Sequence, residues 1–333
     1  MDRKMDLSCP CLPLIGLLFI LIFPKPSLAQ ESPNFAAKSA PSTSNSADSK
    51  TYTLVGAGDI SWCGDLSGAK ATAKLIQHIP GAVFAAGDLA YQTGSDAEFR
   101  NCYDRTWGQF KSRSYPTPGN HEYNGSEATG YFRYWGARAG EPAKGYYSYD
   151  LGSWHIVVLN TNCGSKALGG CGTGSPQETW LRQDLAEHPD TCILAYGHHA
   201  LFSSGVSAKH AIHPELRPLW SDLYDAHADV VLAGHEHSYE RFAPQDPEGH
   251  ADSDRGIREI VVGTGGKDHT PWASRAITAK SATTRPSACA NSRWLLENTP
   301  GNSFLFRNAS DVRFATLAPA PATTKPLPLN SGS

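Results

Sequence analysis

The chain has 333 residues, is 40% hydrophobic and 18% charged, and carries a formal net charge of −3. That length supports one large core rather than two full domains. Without a basic field or a Lys/Arg cluster interleaved with aromatics, nucleic acid binding is not expected, and a small molecule is the expected partner.

In chain order, Arg3 and Lys4 precede an apolar stretch from Leu12 to Phe23, and "PSLAQ" offers Ser27 and Ala29 ahead of Gln30. Residues 1–29 therefore read as an export signal, too short in its apolar run to favour a spanning helix. Residues 30–50, rich in Ser, Ala, Pro and Asn, read as a disordered spacer. The expected location is secreted or periplasmic, with no stable membrane anchor after cleavage. Cysteine usage agrees: beyond Cys9 and Cys11, six remain at Cys63, Cys102, Cys163, Cys171, Cys192 and Cys289, an even set suited to disulfides in an oxidising compartment. Cys163 and Cys171 flank a glycine-rich loop they could close, and Cys63 with Cys102 is a plausible second bridge.

From Tyr52 onward, short apolar runs end in turn or polar residues: "YTLVGAGD", "AVFAAGD", "WHIVVLNTN", "CILAYGHH", "ADVVLAGHEH" and "REIVVGTGG". Such runs read as buried strands. "GAKATAKLIQHI" and "SPQETWLRQDLAEH" show helical spacing, the latter with Ser175 and Glu178 placed as a capping box. Strand and helix alternation predicts an α/β sandwich. Asp59, Asp88, Asn160, His198 and His235 all fall just past the apolar part of a strand, where open α/β sheets bind ligands.

The polar residues at this rim are Asp59 in "GAGDI", Asp88 and Tyr91 in "GDLAY", Asn120 and His121 in "GNHEY", His198 and His199 in "GHHALFSS", and His235 and His237 in "GHEH". Carboxylate, phenol, amide and imidazole together suit two metal ions, with oxygen donors for a ferric ion and nitrogen donors for a divalent partner. A lone Asp after a strand is usually a turn or helix cap, but five motifs in order at strand ends outweigh that reading for Asp59. Asp65 and His78 read as surface residues, Glu122 as a residue that orients its neighbours or caps a turn, and Arg241 as a partner in an ion pair at the rim.

The ordered set GD, GDxxY, GNHE, GHH and GHxH resembles the calcineurin-like metallophosphoesterases, and "GDLAY" with "GHEHSYER" resembles their purple acid phosphatase branch. The resemblance covers about Tyr52 to Gly266. It implies an α/β/β/α sandwich with the active site at the strand carboxyl ends, in a catalytic domain of residues 51–266. It further implies that Asp59, Asp88, Tyr91 and His237 bind Fe(III), and that Asp88 bridges to a divalent Fe, Zn or Mn ion completed by Asn120, His198 and His235. His121 is then catalytic and His199 faces the substrate. The implied reaction is phosphomonoester hydrolysis by a metal-bound hydroxide. The alternatives are a phosphodiesterase or nucleotidase on the same metal core, and a catalytically impaired metal-binding scaffold.

The chain departs from the family pattern twice. Ala200 stands where the family carries proline, and the later active-site histidine falls to His210 or His213, of which His210 is preferred as the acid. Residues 267–333 are polar and aperiodic and end in a Pro/Ala/Thr tail, so they read as a divergent or frame-shifted replacement that leaves one or two terminal strands missing and Cys289 without its proper partner.

Overall fold

Strands in the middle of this fold are apolar on both faces because both faces are covered. The computed structural model describes residues 52–189, 191–204 and 213–268, together with the backbone of 295–299, 303–307 and 312–317. The strands are, in chain order, β1 (Tyr52–Ala57), β2 (Ser61–Trp62), β3 (Ala82–Ala86), β4 (Ala90–Tyr91) and β5 (Ser114–Thr117). Next come β6 (Tyr147–Leu151), β7 (Trp154–Val158), β8 (Cys192–Tyr196), β9 (Val230–Ala233), β10 (Tyr239–Arg241) and β11 (Arg258–Val262). The described strands end with β12 (Leu295–Thr299), β13 (Ser303–Arg307) and β14 (Val312–Leu317).

One sheet runs β12-β13-β14-β1-β3-β5 and the other β10-β11-β9-β8-β7-β6, while β2 and β4 form a small pair. The central strands β14, β1, β3 and β5 are mutually parallel, as are β7, β8, β9 and β11. Side chains alternate across the second sheet with the period of two that a strand dictates. Trp154, Ile156 and Val158 of β7, with Cys192, Leu194 and Tyr196 of β8, join the core shared with Leu54 and Phe84 of the first sheet. Val157, Ile193, Ala195 and Val231 point the other way, into a core with Leu181 and Leu185 of helix Pro176–Glu187 and Leu219, Trp220 and Leu223 of helix Arg217–Asp225. Helix Ser67–Gln77 buries Ala69, Ala73 and Ile76 in the first core. All six strands expected from the sequence form, and the sandwich with flanking helices is the expected fold class.

Two details differ from expectation. Ser175 caps its helix by accepting from the Glu178 amide at 3.3 Å, but Glu178 reaches back to the amide of Gly174 at 2.9 Å rather than to Ser175. A reciprocal capping box forms instead at Ser95 and Glu98. The larger correction is at the C-terminal end. No strand is missing beside β1: β14 pairs with it in parallel from Tyr52 opposite Val312 to Gly56 opposite Thr316, and β13 and β12 extend the sheet antiparallel. Each of these strands is only five or six residues long inside a polar stretch, so composition averaged over the region hides them.

The bridges Cys63–Cys102 and Cys163–Cys171 form as expected. Cys192 is disulfide-bonded as well. Cys289 and the segment read as an export signal lie outside the described residues, and among the described residues no helix is long and apolar enough to cross a membrane.

Candidate metal centre

The two sheets deliver their polar residues to one place. Asp59, Asp88 and Asn120 follow β1, β3 and β5 of the first sheet, while His198 and His235 follow β8 and β9 of the second. Three of these turns hold a non-glycine residue in the left-handed region: Asp59 at φ 61°, Asp88 at 51° and His235 at 70°. Such a conformation costs on the order of 1 kcal/mol or more per residue and persists only where the surroundings impose it. The preceding glycines allow the crowding. A Cβ on Gly119 would lie 2.1 Å from Asp88 Oδ1, and one on Gly234 would lie 2.8 Å from Asp59 Oδ2.

Two donor groups sit side by side. In the first, the Tyr91 hydroxyl donates to Asp59 Oδ1 at 2.7 Å and lies 3.1 Å from His237 Nε2, which is 3.4 Å from the same carboxylate oxygen. In the second, His198 Nε2 stands 3.1 Å from Asn120 Oδ1, 3.2 Å from His235 Nδ1 and 3.4 Å from Asp88 Oδ2. The groups join where Asp59 Oδ2 accepts from the His235 amide at 2.8 Å. Donor atoms of Asp59, Asp88 and His198 all lie within 4.8 Å of one another.

Electrostatics explain why buried carboxylates survive here. Asp59 and His198 are fully buried and Asp88 is 2% exposed. Burial pushes both carboxyls up, but His237 beside Asp59 and His198 beside Asp88 outweigh it and hold both below the ordinary range. The Asp88 charge likewise overcomes burial to raise His198 to about 9. Burial, then the charges of Asp59 and Asp88, push the Tyr91 phenol well above its ordinary value. His199 goes the other way, pushed well below by burial and the neighbouring imidazoles. Two buried carboxylates, a phenol, an amide oxygen and three imidazoles directed at one another fit a metal pair: deprotonated donors at this spacing repel or share protons until cations replace them.

A second layer of side chains holds the donors. Glu122, fully buried, accepts from four amides: Asp88 at 3.0 Å and Gly119 at 2.8 Å on one oxygen, Leu89 at 2.9 Å and Ala90 at 3.1 Å on the other. It orients the loops of Asp88 and Asn120, as its sequence position suggested. Thr161 Oγ1 accepts from the amides of His198 at 3.1 Å and His199 at 2.9 Å. Glu259 of β11 accepts from the amides of Leu201 and Phe202 at 3.0 Å each, and Glu240 of β10 from the Ser204 amide at 2.7 Å.

The remaining candidates fall as follows. His121 donates its amide to Asp88 Oδ1 at 2.8 Å, its Nδ1 lies 2.8 Å from the Gln92 carbonyl, and its ring packs 4.4 Å from that of Tyr91. His199 has Nδ1 2.9 Å from Thr161 Oγ1 and its ring 4.6 Å from His235. His210, preferred as the acid, lies outside the described residues. His213 comes to the site, with its ring 4.4 Å from His199 and 5.5 Å from His235. Asn160, grouped with the rim by its strand position, is structural: its amide donates to the Tyr123 hydroxyl and the Lys144 carbonyl, both at 2.8 Å. Asp65 and His78 are exposed. Sequence reasoning missed Thr161, Glu240 and Glu259, of which Glu259 carried a signal as a carboxylate inside the apolar run "REIVV".

Comparison with known proteins agrees with the geometry. Residues 50–239, more than half the chain, match the calcineurin-like phosphoesterase family. Purple acid phosphatase 23 of Arabidopsis thaliana is 27% identical over 221 residues, 55% of this chain and 47% of that protein. Fe(3+)-Zn(2+) purple acid phosphatase 12 of the same plant is 32% identical over 183 residues, 48% of this chain and 37% of that one. The chain thus spans less than half the length of these relatives. Among solved structures, GAP50, the anchor in the inner membrane complex of Plasmodium, superposes with a TM-score of 0.51 at 16% identity, covering 81% of this chain and 90% of that one, a likeness of fold. On the family match, with purple acid phosphatases among its relatives, the chain belongs to the calcineurin-like phosphoesterase family.

Proposed function

We propose that this protein is an exported phosphatase that hydrolyses phosphomonoesters at a metal pair. Asp59, Tyr91, His237 and Asp88 would hold a ferric ion; Asp88, Asn120, His198 and His235 would hold a divalent Fe, Zn or Mn ion. The observation that carries the reading is the convergence of buried Asp59, Asp88 and His198 from different strands within 4.8 Å. A relative named for its Fe(3+)-Zn(2+) pair supports the metal assignment, and the disulfides suit an oxidising compartment.

Bound metals would supply a hydrolytic nucleophile from water and neutralise phosphoryl charge. The chain's own residues do the rest. With Nδ1–H of His121 donated to the Gln92 carbonyl, its Nε2 stays on the side of Asp88, 3.8 Å from Oδ2, where it can meet a phosphoryl or leaving-group oxygen. His199, anchored by Thr161, lines the same side as His235 and faces substrate. His213 is our candidate for the acid that protonates a leaving oxygen: its ring lies 4.4 Å from that of His199, and Glu215, 2.9 Å from its Nδ1, would support the imidazolium that gives up the proton.

Turnover of a phosphate monoester against a bis-ester tests the reading. Faster monoester hydrolysis supports it, and preference for the bis-ester shifts the assignment to a phosphodiesterase. A binding scaffold without turnover is the second reading, favoured by the relative named probable inactive purple acid phosphatase 9, 29% identical over 163 residues. Full metal content with no hydrolysis of any ester would establish it.

A further inference from the structure

We infer that Lys267 and Asp268 are positioning residues for three of the four ligands assigned to the ferric ion, Asp59, Tyr91 and His237. The inference rests on the phosphatase reading and extends it to residues beyond the motif region.

The physical basis is a turn after β11. In "GTGGKD" the glycines let the backbone lie against the Asp59 loop: the Gly265 amide donates to the Gly58 carbonyl at 2.8 Å, and a Cβ on Gly263 would lie 2.7 Å from Asp59 Oδ2. Lys267 follows, and its amide donates to the Asp59 carbonyl at 2.9 Å. Its side chain, 11% exposed, places Nζ 4.2 Å from the Trp62 ring centre and 5.6 Å from that of Tyr91. The same ammonium pairs with Asp268, and Asp268 Oδ1 stands 3.5 Å from His237 Nδ1. One dipeptide therefore touches Asp59, Tyr91 and His237.

Each contact has a defined effect. His237 turns Nε2 toward Tyr91 and Asp59 and Nδ1 toward Asp268, 3.5 Å away, so the carboxylate's charge favours a proton on Nδ1 and leaves the Nε2 lone pair for a metal. A carboxylate behind a ligating imidazole fixes the tautomer and ring direction, and its loss typically weakens metal binding 10- to 100-fold. Lys267 sets a positive charge beside the Tyr91 ring, where an ionised phenolate would need it. Lys267 also keeps Asp268 in place.

The test is chelator challenge and visible absorption of the metal-loaded full chain, with melting temperature of the metal-free chain as control. Asp268→Ala should release one of two metal equivalents at roughly 10- to 100-fold lower chelator concentration, and Asp268→Asn, which keeps an acceptor, should fall between it and wild type. Lys267→Met should move the tyrosinate band to longer wavelength, because the phenolate donor loses its stabilising cation, and Lys267→Arg should restore it. Unchanged melting of the metal-free variants separates positioning from folding. Wild type that binds no metal overturns the phosphatase reading and this inference together. Two metals in wild type with the Asp268 variants releasing them identically overturns this inference alone, as does a Lys267→Met band identical to wild type.

Discussion

His198 Nε2 lies 3.4 Å from Asp88 Oδ2, and the two residues arrive from different sheets, His198 after β8 and Asp88 after β3. The contact spans the two sheets at the end where the metal donors gather, and the proposed assignment gives Asp88 to both metals. Asp88→Asn should therefore remove metal from both positions and lower monoester turnover by roughly 100-fold or more. Metal content and circular dichroism check it: retained turnover with full metal content contradicts the bridging role.

Glu122 serves a different end. Four amides depend on its two carboxylate oxygens, and an amide side chain offers one acceptor oxygen and a donor group that opposes the other pair. Glu122→Gln should cost about 3 kcal/mol of stability from buried N–H groups left unsatisfied, and it should loosen the Asp88 and Asn120 loops together. Urea denaturation measures the first effect and chelator sensitivity the second. A variant as stable as wild type would contradict the four-amide account.

His155 provides a pH test away from the metals. Buried in β7, it has Nδ1 3.0 Å from Asp150 and Nε2 2.9 Å from Asp184. Burial opposes the imidazolium, but the two carboxylates overcome it and raise His155 above its ordinary 6.5. For Asp184 burial is outweighed by the hydrogen bonds from His155 and Ser148, which hold it below its ordinary 3.8. The raised group stabilises the fold fully below 6.5 and loses that contribution as pH rises through its folded value. The depressed group contributes above 3.8 and loses its share as pH falls through its folded value. His155→Gln should thus cost about 2–3 kcal/mol near pH 5.5 and less near pH 9. Equal losses at both pH values, by chemical denaturation, would contradict the charged pair.

Leaving-group dependence tests His213. Loss of a general acid matters most when the departing oxygen is strongly basic. His213→Asn should slow hydrolysis of an alkyl phosphate by about 100-fold and that of nitrophenyl phosphate far less. Equal effects on both esters would return the role to His210.

Much of the site was legible because its chemistry is written locally. Gly58–Asp59, Gly87–Asp88 and Gly234–His235 each place a donor directly after an apolar run, and strand physics then carries the donors to one rim. The supporting residues were harder to read. Thr161 and Glu240 act through loops far away in sequence, and neither type is unusual where it stands. Glu259 could have been noticed, since a carboxylate in a fully buried strand demands amide donors. In the fold, β7, β8 and β9 announce themselves because both faces are buried. β5 contains Pro116, and β12 to β14 mix polar and apolar residues over short spans, so their pairing depends on neighbours rather than on their own pattern. The sequence narrowed the later histidine to His210 or His213 but could not choose between them, because packing across the site, not spacing, brings His213 to 4.4 Å from His199.

Metal analysis with a visible absorption spectrum of the purified wild-type chain tests the central claim most directly. The account predicts two metal ions per chain, one of them iron, and a purple absorption from Tyr91 phenolate to Fe(III), lost in Tyr91→Phe. An active enzyme that is colourless and free of iron would contradict it.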